Sequence, residues 1–258
     1  METVDTIAGR SSRPEAQEPA TLVGTVQPGV QVSRRAWSLA EVTALLRDLR
    51  AAAPAPGEHS ALRLLSHRID FVVDLTDRRL AAGDVNDPAG SKVLRQARAA
   101  ALELAGNGPV GLVHGDLHPA NVLSGPGARM VAIDPRPTWG DPDFDAVDWV
   151  LEGVAGPAVL EQRIEEPAAL VPGMSPRRVL GWCRALAALI AVPRRCAGRD
   201  DAETRFLMAL ADSRRCSYAA VRRAARRAPA RGPCGPYGTC RPRWPRWPCW
   251  SRGGRAGR

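Results

Sequence analysis

Two short apolar runs, each closely followed by an aspartate, constrain the fold of this chain more than any other feature. Residues 110–113 lead to Asp116, and residues 130–133 lead directly to Asp134. Apolar runs of this length, bounded by turn residues, are typical of buried strands. A Gly-Pro-Gly sequence at 125–127 marks a turn between them. The sequence therefore predicts a strand, an acidic loop, a short hairpin and a second acidic loop.

The first of these loops carries residues that suit phosphoryl transfer. It reads HGDLHPAN over residues 114–121, and its Asp-to-Asn spacing equals that of the protein-kinase catalytic loop, H-R-D-x-x-x-x-N. We predict that Asp116 is the catalytic residue and orients an attacking hydroxyl. Asn121 and Asp134 offer the oxygen ligands that Mg²⁺ prefers, and we predict that they hold this metal on the phosphates.

The histidines of the same loop leave a second interpretation open. His114, Asp116 and His118 alternate along the sequence, so a strand would place three metal ligands on one face, as a zinc hydrolase could use. The only other histidines, His59 and His67, lie in a part of the sequence without a clear pattern. We therefore favour a supporting role for His114, which would brace the catalytic loop.

A segment rich in acidic and aromatic residues, WGDPDFDAVDW, occupies residues 139–149. Acidic residues are favoured at a helix N-terminus by the helix dipole, which accounts for some of these side chains but not clearly for all. We assign Asp145 to bracing the catalytic loop. Asp148, Trp149 and Glu152 are candidates for contacting the substrate, and the two acidic residues would suit a cationic one. Plain solvation is the alternative for both of them.

Helical patterns account for most of the remaining chain up to residue 212. Ser38 and Glu41 form a capping box, and apolar residues follow it on one helical face. Residues 62–80 mix helical and extended signals, and their structure stays open. The other predicted helices cover about 91–104, 143–154, a segment opened by Ser175-Pro176, and 200–211.

Charge is distributed unevenly along the chain. All 27 acidic residues lie within 1–212, whereas residues 213–258 contain 13 Arg and no acidic residue. The net charge of +9 therefore comes from the tail, residues 213–258, rather than from the body of the chain. An Arg- and Trp-containing segment can contact phosphates and stack on bases. Binding of nucleic acid or another anionic partner is thus an alternative that depends on the tail alone.

The sequence gives no indication of a membrane segment or a disulfide framework. Its longest apolar run, residues 185–193, covers about nine residues, whereas a membrane span needs roughly 20. The N-terminus lacks an apolar signal region, and the six cysteines form no C-x-x-C pair. We expect a cytoplasmic protein that makes no membrane contact.

The motifs at 114–123, 133–137 and 140–145 together resemble the aminoglycoside phosphotransferase family, and within it the streptomycin and hydroxyurea kinase branch. The resemblance covers about residues 20–212. It implies an α+β, protein-kinase-like fold in which a mainly helical C-lobe carries a small catalytic hairpin. It also implies that ATP and Mg²⁺ are the cofactors, and that the phosphate acceptor is a hydroxyl of a small molecule, often an antibiotic.

By position, the resemblance assigns roles to four residues. Asp116 matches the catalytic aspartate of the family, and Asn121 and Asp134 match its Mg²⁺ ligands. Asp145 matches the aspartate that hydrogen-bonds back to the catalytic loop.

The resemblance also divides the chain into segments. We expect a flexible lead-in over 1–20, a hinge strand over 21–29 that remains from the N-lobe, the C-lobe over 30–212 and a basic tail of low order over 213–258. Adenine would meet the hinge backbone near Val23 and Val26.

A kinase needs a glycine-rich strand pair and a phosphate-binding lysine before the hinge. The only lysine is Lys92, which follows the hinge. We therefore expect the N-lobe to be largely missing and the chain as given to have little or no activity. A degenerate family member that binds ligand weakly is the corresponding alternative.

Overall fold

The computed structural model describes residues 29–52, 62–82, 88–125 and 129–212. Residues 21–28 of the predicted hinge segment, with Val23 and Val26, the lead-in and the basic tail lie outside the described residues. The elements, in chain order, are α1 (Leu39–Ala51), β1 (Arg63–Leu64), α2 (Leu65–Ala82), α3 (Pro88–Gly106), β2 (Gly111–Val113), β3 (Val122–Ser124), β4 (Met130–Ala132), β5 (Thr138–Gly140), α4 (Val147–Leu151), α5 (Pro157–Leu170), α6 (Pro176–Cys196) and α7 (Ala202–Asp212). The α+β, mainly helical class predicted from the sequence is confirmed.

Helix α1 begins at the capping box that the sequence predicted. The Glu41 backbone N–H donates to Ser38 Oγ at 3.2 Å, and the Ser38 N–H donates to Glu41 Oε2 at 2.8 Å. Two backbone donors that the helix leaves without intrahelical partners are thereby satisfied. Beyond the cap, Val42, Leu45 and Leu46 are buried, which anchors α1 on the core.

Helix α6 lies at the centre of the core and packs most extensively against α3 and α7. Its buried side chains include Val179, Leu180 and Trp182. The Trp182 indole donates from Nε1 to the fully buried Asp141 carboxylate at 2.7 Å. This bond connects the central helix to the segment that precedes α4, and so fixes the position of that segment.

The strands form two small sheets. In the first, β5 lies between β1 and β2, parallel to β1 and antiparallel to β2. The second is the hairpin of β3 and β4, in which Val122 lies opposite Ala132. The predicted strand and hairpin are confirmed, whereas β1 and β5 were not predicted. Strands of two and three residues carry too little periodicity to be recognised.

One helical prediction needs correction, one segment that was left open is resolved, and one helix was not predicted. The helix predicted over 143–154 is a 3₁₀ turn, Pro142–Ala146, followed by the short α4. Asp143 is drawn out of a regular helix because its carboxylate forms a buried ion pair with Arg50. The undecided stretch 62–80 is mostly α2, and α5 was not predicted.

Among the described residues, no helix combines the length and apolarity needed to cross a bilayer.

Candidate active site

The loop between β2 and β3 carries Asp116 and is clamped against the segment that follows Asp134. The Arg136 backbone N–H donates to the His114 carbonyl oxygen at 2.8 Å. Gly115 has φ +76°, and a Cβ at this position would lie 2.3 Å from the Arg136 carbonyl oxygen. Both the left-handed backbone and the close approach require glycine here.

Asp145 holds the same loop from its other side. Its carboxylate accepts the backbone N–H groups of His114 at 2.7 Å and of Gly115 at 3.0 Å. Burial raises the pKa of Asp145 to about 7, although the two backbone donors and Arg50 act in the opposite direction. The structure thus brings Asp145 to the loop that it was predicted to support.

The Asp116 side chain is buried and held by two neighbours. Its Oδ1 accepts from Arg68 Nη2 at 2.8 Å, and Arg68 Nε donates to the Gly115 carbonyl oxygen at 2.8 Å. Asn121 Nδ2 donates to Asp116 Oδ2 at 3.2 Å and to the Asp116 carbonyl oxygen at 3.0 Å. Because each carboxylate oxygen has a fixed partner, the orientation of Asp116 is set before any ligand binds.

Asn121 and Asp134 lie at the same end of the β3–β4 hairpin. The Ile133 backbone N–H donates to the Asn121 carbonyl oxygen at 2.8 Å, which places Asp134 one residue beyond the position opposite Asn121. Asp134 has φ +52°, an uncommon conformation for a residue other than glycine. Arg136 Nη2 lies 3.4 Å from its Oδ2. An amide oxygen and a carboxylate fit the requirement of Mg²⁺ for hard oxygen ligands.

The two histidines of the loop do not form the alternative zinc site. His118 caps the 3₁₀ turn Pro119–Asn121, and its Nδ1 accepts from the Ala120 N–H at 3.2 Å. Burial is the main cause that lowers the pKa of both His114 and His118. Within the described ranges, no group of three or more His, Cys, Asp or Glu side chains could hold a metal ion.

A cavity of about 70 Å³ opens beside Asp116. Its polar wall consists of Arg68, Asp116, His118 and Asp148, and the remainder is largely apolar, with side chains from α2, α4 and α6 and with Phe144. Burial raises the pKa of Asp148 to about 7, and Asp116 and Glu152 act in the same direction. Asp148 therefore places a carboxyl group in the same cavity wall as Asp116, in a mostly apolar setting.

The structure does not bring the other two predicted substrate residues to this cavity. Trp149 is only 1% exposed, and its ring packs edge-on against Trp37 with centroids 5.3 Å apart. It is a core residue on the buried face of α4, which corrects the expectation of a substrate contact. Glu152 does not line the cavity either, and its carbonyl oxygen accepts from the Arg163 guanidinium.

Arg68 is the residue of this site that the sequence analysis missed. It lies on the buried face of α2 together with Leu65, Ile69 and Val73. An arginine at helical spacing within an apolar stripe needs a partner for its charge. That pattern was the available signal, but it is visible only once residues 65–82 are recognised as a helix.

Comparison with known proteins identifies the family of this chain. The profile of the aminoglycoside/hydroxyurea antibiotic resistance kinase family matches residues 22–198, which is more than half of the chain. A hydroxyurea phosphotransferase from Kitasatospora aureofaciens is 40% identical over 73 residues, which make up 28% of this chain and 22% of that protein. A streptomycin 6-kinase from Streptomyces glaucescens is 37% identical over 92 residues, or 36% of this chain and 28% of that protein. The matched segments thus span less than a third of either relative.

Among solved structures, a choline/ethanolamine kinase family protein from Mesorhizobium loti aligns with a TM-score of 0.46 and 22% identity, covering 76% of this chain and 68% of that one. The family match, residues 22–198, includes the loop with Asp116, the β3–β4 hairpin and the segment with Asp145. This chain belongs to the aminoglycoside/hydroxyurea antibiotic resistance kinase family.

Proposed function

We propose that this chain carries the catalytic loop of an ATP-dependent phosphotransferase that acts on a hydroxyl of a small, antibiotic-like molecule. One observation carries the proposal. Asp116 is fixed by Arg68 and Asn121 at the wall of a cavity, and Asn121 shares its end of the hairpin with Asp134. The carboxylate that would bind the acceptor and the oxygen atoms that would bind a metal therefore lie in one small region of the structure.

In this mechanism Asp116 accepts a hydrogen bond from the acceptor hydroxyl and aims its oxygen at the phosphorus. Phosphoryl transfer depends mostly on positioning and on neutralising charge, so a rigid carboxylate is what the acceptor side has to supply. Arg68 and Asn121 provide that rigidity, and Asp145 and Arg136 hold the loop beneath it. His114 lies within the clamped part of the loop.

On the donor side, Asn121 and Asp134 would hold Mg²⁺. When bound, the metal would neutralise charge on the ATP phosphates. The proposed adenine contact, backbone near Val23 and Val26, follows from the family resemblance alone. On the acceptor side, Asp148 lines the cavity beside Asp116 and would accept hydrogen bonds from N–H or O–H groups of the substrate.

The test is acceptor-dependent release of ADP by the purified chain with Mg-ATP and a panel that includes streptomycin, other aminoglycosides and hydroxyurea. Asp116→Ala should reduce turnover by about 10²- to 10⁴-fold, the usual contribution of such a group. Asp77→Ala, a change at an exposed position on α2, is the matched control and should leave turnover unchanged. Turnover that survives Asp116→Ala would refute the assignment.

A second candidate, a family member that binds ligand without turnover, is favoured by the position of Lys92. This residue is the only lysine in the sequence and lies exposed on α3 rather than beside Asp116. Lys92 therefore supplies no phosphate-binding charge beside Asp116, and a site without such a charge would be slower by about tenfold for each 1.36 kcal/mol of added barrier. Binding of Mn²⁺ with ADP, followed by electron paramagnetic resonance, separates the two candidates. Binding that depends on Asn121 and Asp134, without ADP release from ATP, would support the second.

A further inference from the structure

A second cavity, of about 340 Å³, lies between the start of α2 and the segment after Asp134. Four of its lining residues have side chains with nitrogen atoms that can donate hydrogen bonds. We call this cavity the basic groove, and it is lined by Arg63, His67, Arg68, Phe71, Pro135, Arg136, Pro137 and Thr138. No acidic side chain lines the groove in the described part of the chain.

The local fold explains why these side chains meet. Strand β1 runs directly into α2, and Arg63 pairs in register with Thr138 of β5. Register partners in a sheet point to the same face. The first turn of α2 contains no acidic residue, so the partial positive charge at this helix end adds to that of the arginines.

The side chain of Thr138 is the most informative feature of the groove. Thr138 is 5% exposed, and its Oγ1 is buried without a hydrogen-bond partner among the described residues. An unsatisfied buried hydroxyl destabilises the fold, because the group has lost its hydrogen bonds to water without gaining others. A ligand that accepts a hydrogen bond from Oγ1 would remove this cost.

The arginines of the groove differ in how strongly acidic side chains pair with them. Arg68 is neutralised by the buried Asp116 at 2.8 Å. Arg136 meets Asp134 at 3.4 Å, with both side chains about half exposed, and exposed pairs of this kind are weak. Arg63 is exposed. Arg63 and Arg136 can therefore bind an anion without breaking a buried ion pair.

We propose that the basic groove binds the phosphate of a small phosphate monoester that has an apolar or aromatic body. Arg63 and Arg136 pair with phosphate oxygens, a geometry that arginine favours, and Thr138 Oγ1 donates a further hydrogen bond. Phe71, which is 46% exposed, and the two prolines contact the body of the ligand. The site does not depend on the proposed phosphoryl transfer, because it uses neither Asp116 chemistry nor Mg²⁺.

The experiment is calorimetric titration of the full chain with phenyl phosphate and with inorganic phosphate, in EDTA and without nucleotide. We expect saturable binding of both, and tighter binding of phenyl phosphate. Arg63→Gln and Arg136→Gln should each weaken binding about tenfold, as expected for a hydrogen bond to a charged group. Arg47→Gln removes a similarly exposed arginine on α1, and should leave the affinity unchanged.

Thr138→Val provides a test that does not alter charge. The change should weaken phosphate binding about threefold to tenfold, while the melting temperature of the free protein stays the same or rises because an unpaired buried hydroxyl is removed. Absence of saturable binding, or equal weakening by Arg47→Gln, would overturn the proposal. So would binding that requires Mg²⁺ and is lost in Asn121→Ala, because it would assign the phosphate to the metal site.

Discussion

Arg68 and Asp116 form an ion pair in which both side chains are less than one-tenth exposed, with Nη2 2.8 Å from Oδ1. The two residues are 48 positions apart in the sequence. A buried pair adds little net stability when it is compared with apolar residues, but removal of one partner leaves an uncompensated charge. The position of the Asp116 carboxylate thus depends on the integrity of α2.

Breaking this pair should show strong coupling between the two positions. Arg68→Met and Asp116→Asn should each lower the free energy of unfolding by about 3 kcal/mol, since each leaves a buried charge alone. The double variant should lose at least about 1 kcal/mol less than the sum of the single losses. Urea denaturation of the four proteins measures the cycle. Additive losses would mean that the pair is not formed in solution.

Gly115→Ala should destabilise the chain far more than the same change at Gly153. Both glycines have positive φ, but an added Cβ at Gly153 meets nothing within 4 Å, whereas at Gly115 it meets the Arg136 carbonyl oxygen. We expect about 1–2 kcal/mol at Gly153 from the backbone conformation alone and a clearly larger loss at Gly115. Thermal unfolding of the two variants gives the comparison. Similar losses would contradict the close approach of the two loops.

Asp145→Asn should loosen the loop that carries Asp116. An asparagine has one acceptor oxygen where the carboxylate offers two, so one of the His114 and Gly115 backbone donors loses its partner. We expect a loss of about 1–3 kcal/mol and faster amide exchange at these two residues. Hydrogen exchange measured by NMR reports both. Unchanged protection would show that the loop is held by other contacts.

The stability contribution of Asp148 should depend on pH in a defined direction. The pKa of Asp148 is raised from 3.8 to about 7. A group with a raised folded-state pKa contributes its full stability below the unfolded value and loses it as pH rises through the folded value. Asp148→Asn, which stays neutral, should therefore gain stability relative to the parent between pH 5 and pH 8, by on the order of 1–3 kcal/mol.

Urea denaturation at each pH measures that difference. Asp77→Asn makes the same chemical change at an exposed position on α2 and should show no comparable trend. A difference between parent and Asp148→Asn that does not vary with pH would mean that Asp148 stays ionised throughout this range.

Part of this structure could be predicted because it depends on residues that are close together in the sequence. The capping box of α1 involves residues three positions apart, and the β3–β4 hairpin follows from the apolar run at 130–133 and the glycine-containing turn before it. The positions of Asp116, Asn121 and Asp134 along the catalytic loop and hairpin could be predicted for the same reason. They depend on short-range spacing rather than on the packing of distant helices.

Other features depend on partners that no local pattern reveals. The pairing of β1 with β5 joins Arg63 to Thr138, and β5 also pairs with β2, so this sheet depends on segments that are far apart in the sequence. The helix expected over 143–154 is interrupted because Asp143 and Asp145 bind groups elsewhere in the chain. The sequence near Trp149 shows that aromatic and acidic side chains cluster there. It does not show which face of α4 is buried.

Arg68 forms part of the wall of both the cavity beside Asp116 and the basic groove. A substitution at this position therefore alters the walls of both cavities at once. Relatives that change the charge at this position should carry compensating changes at Asp116 or along the groove. In a library selected for a new acceptor molecule, variation at position 68 should consequently be tolerated only together with second-site substitutions.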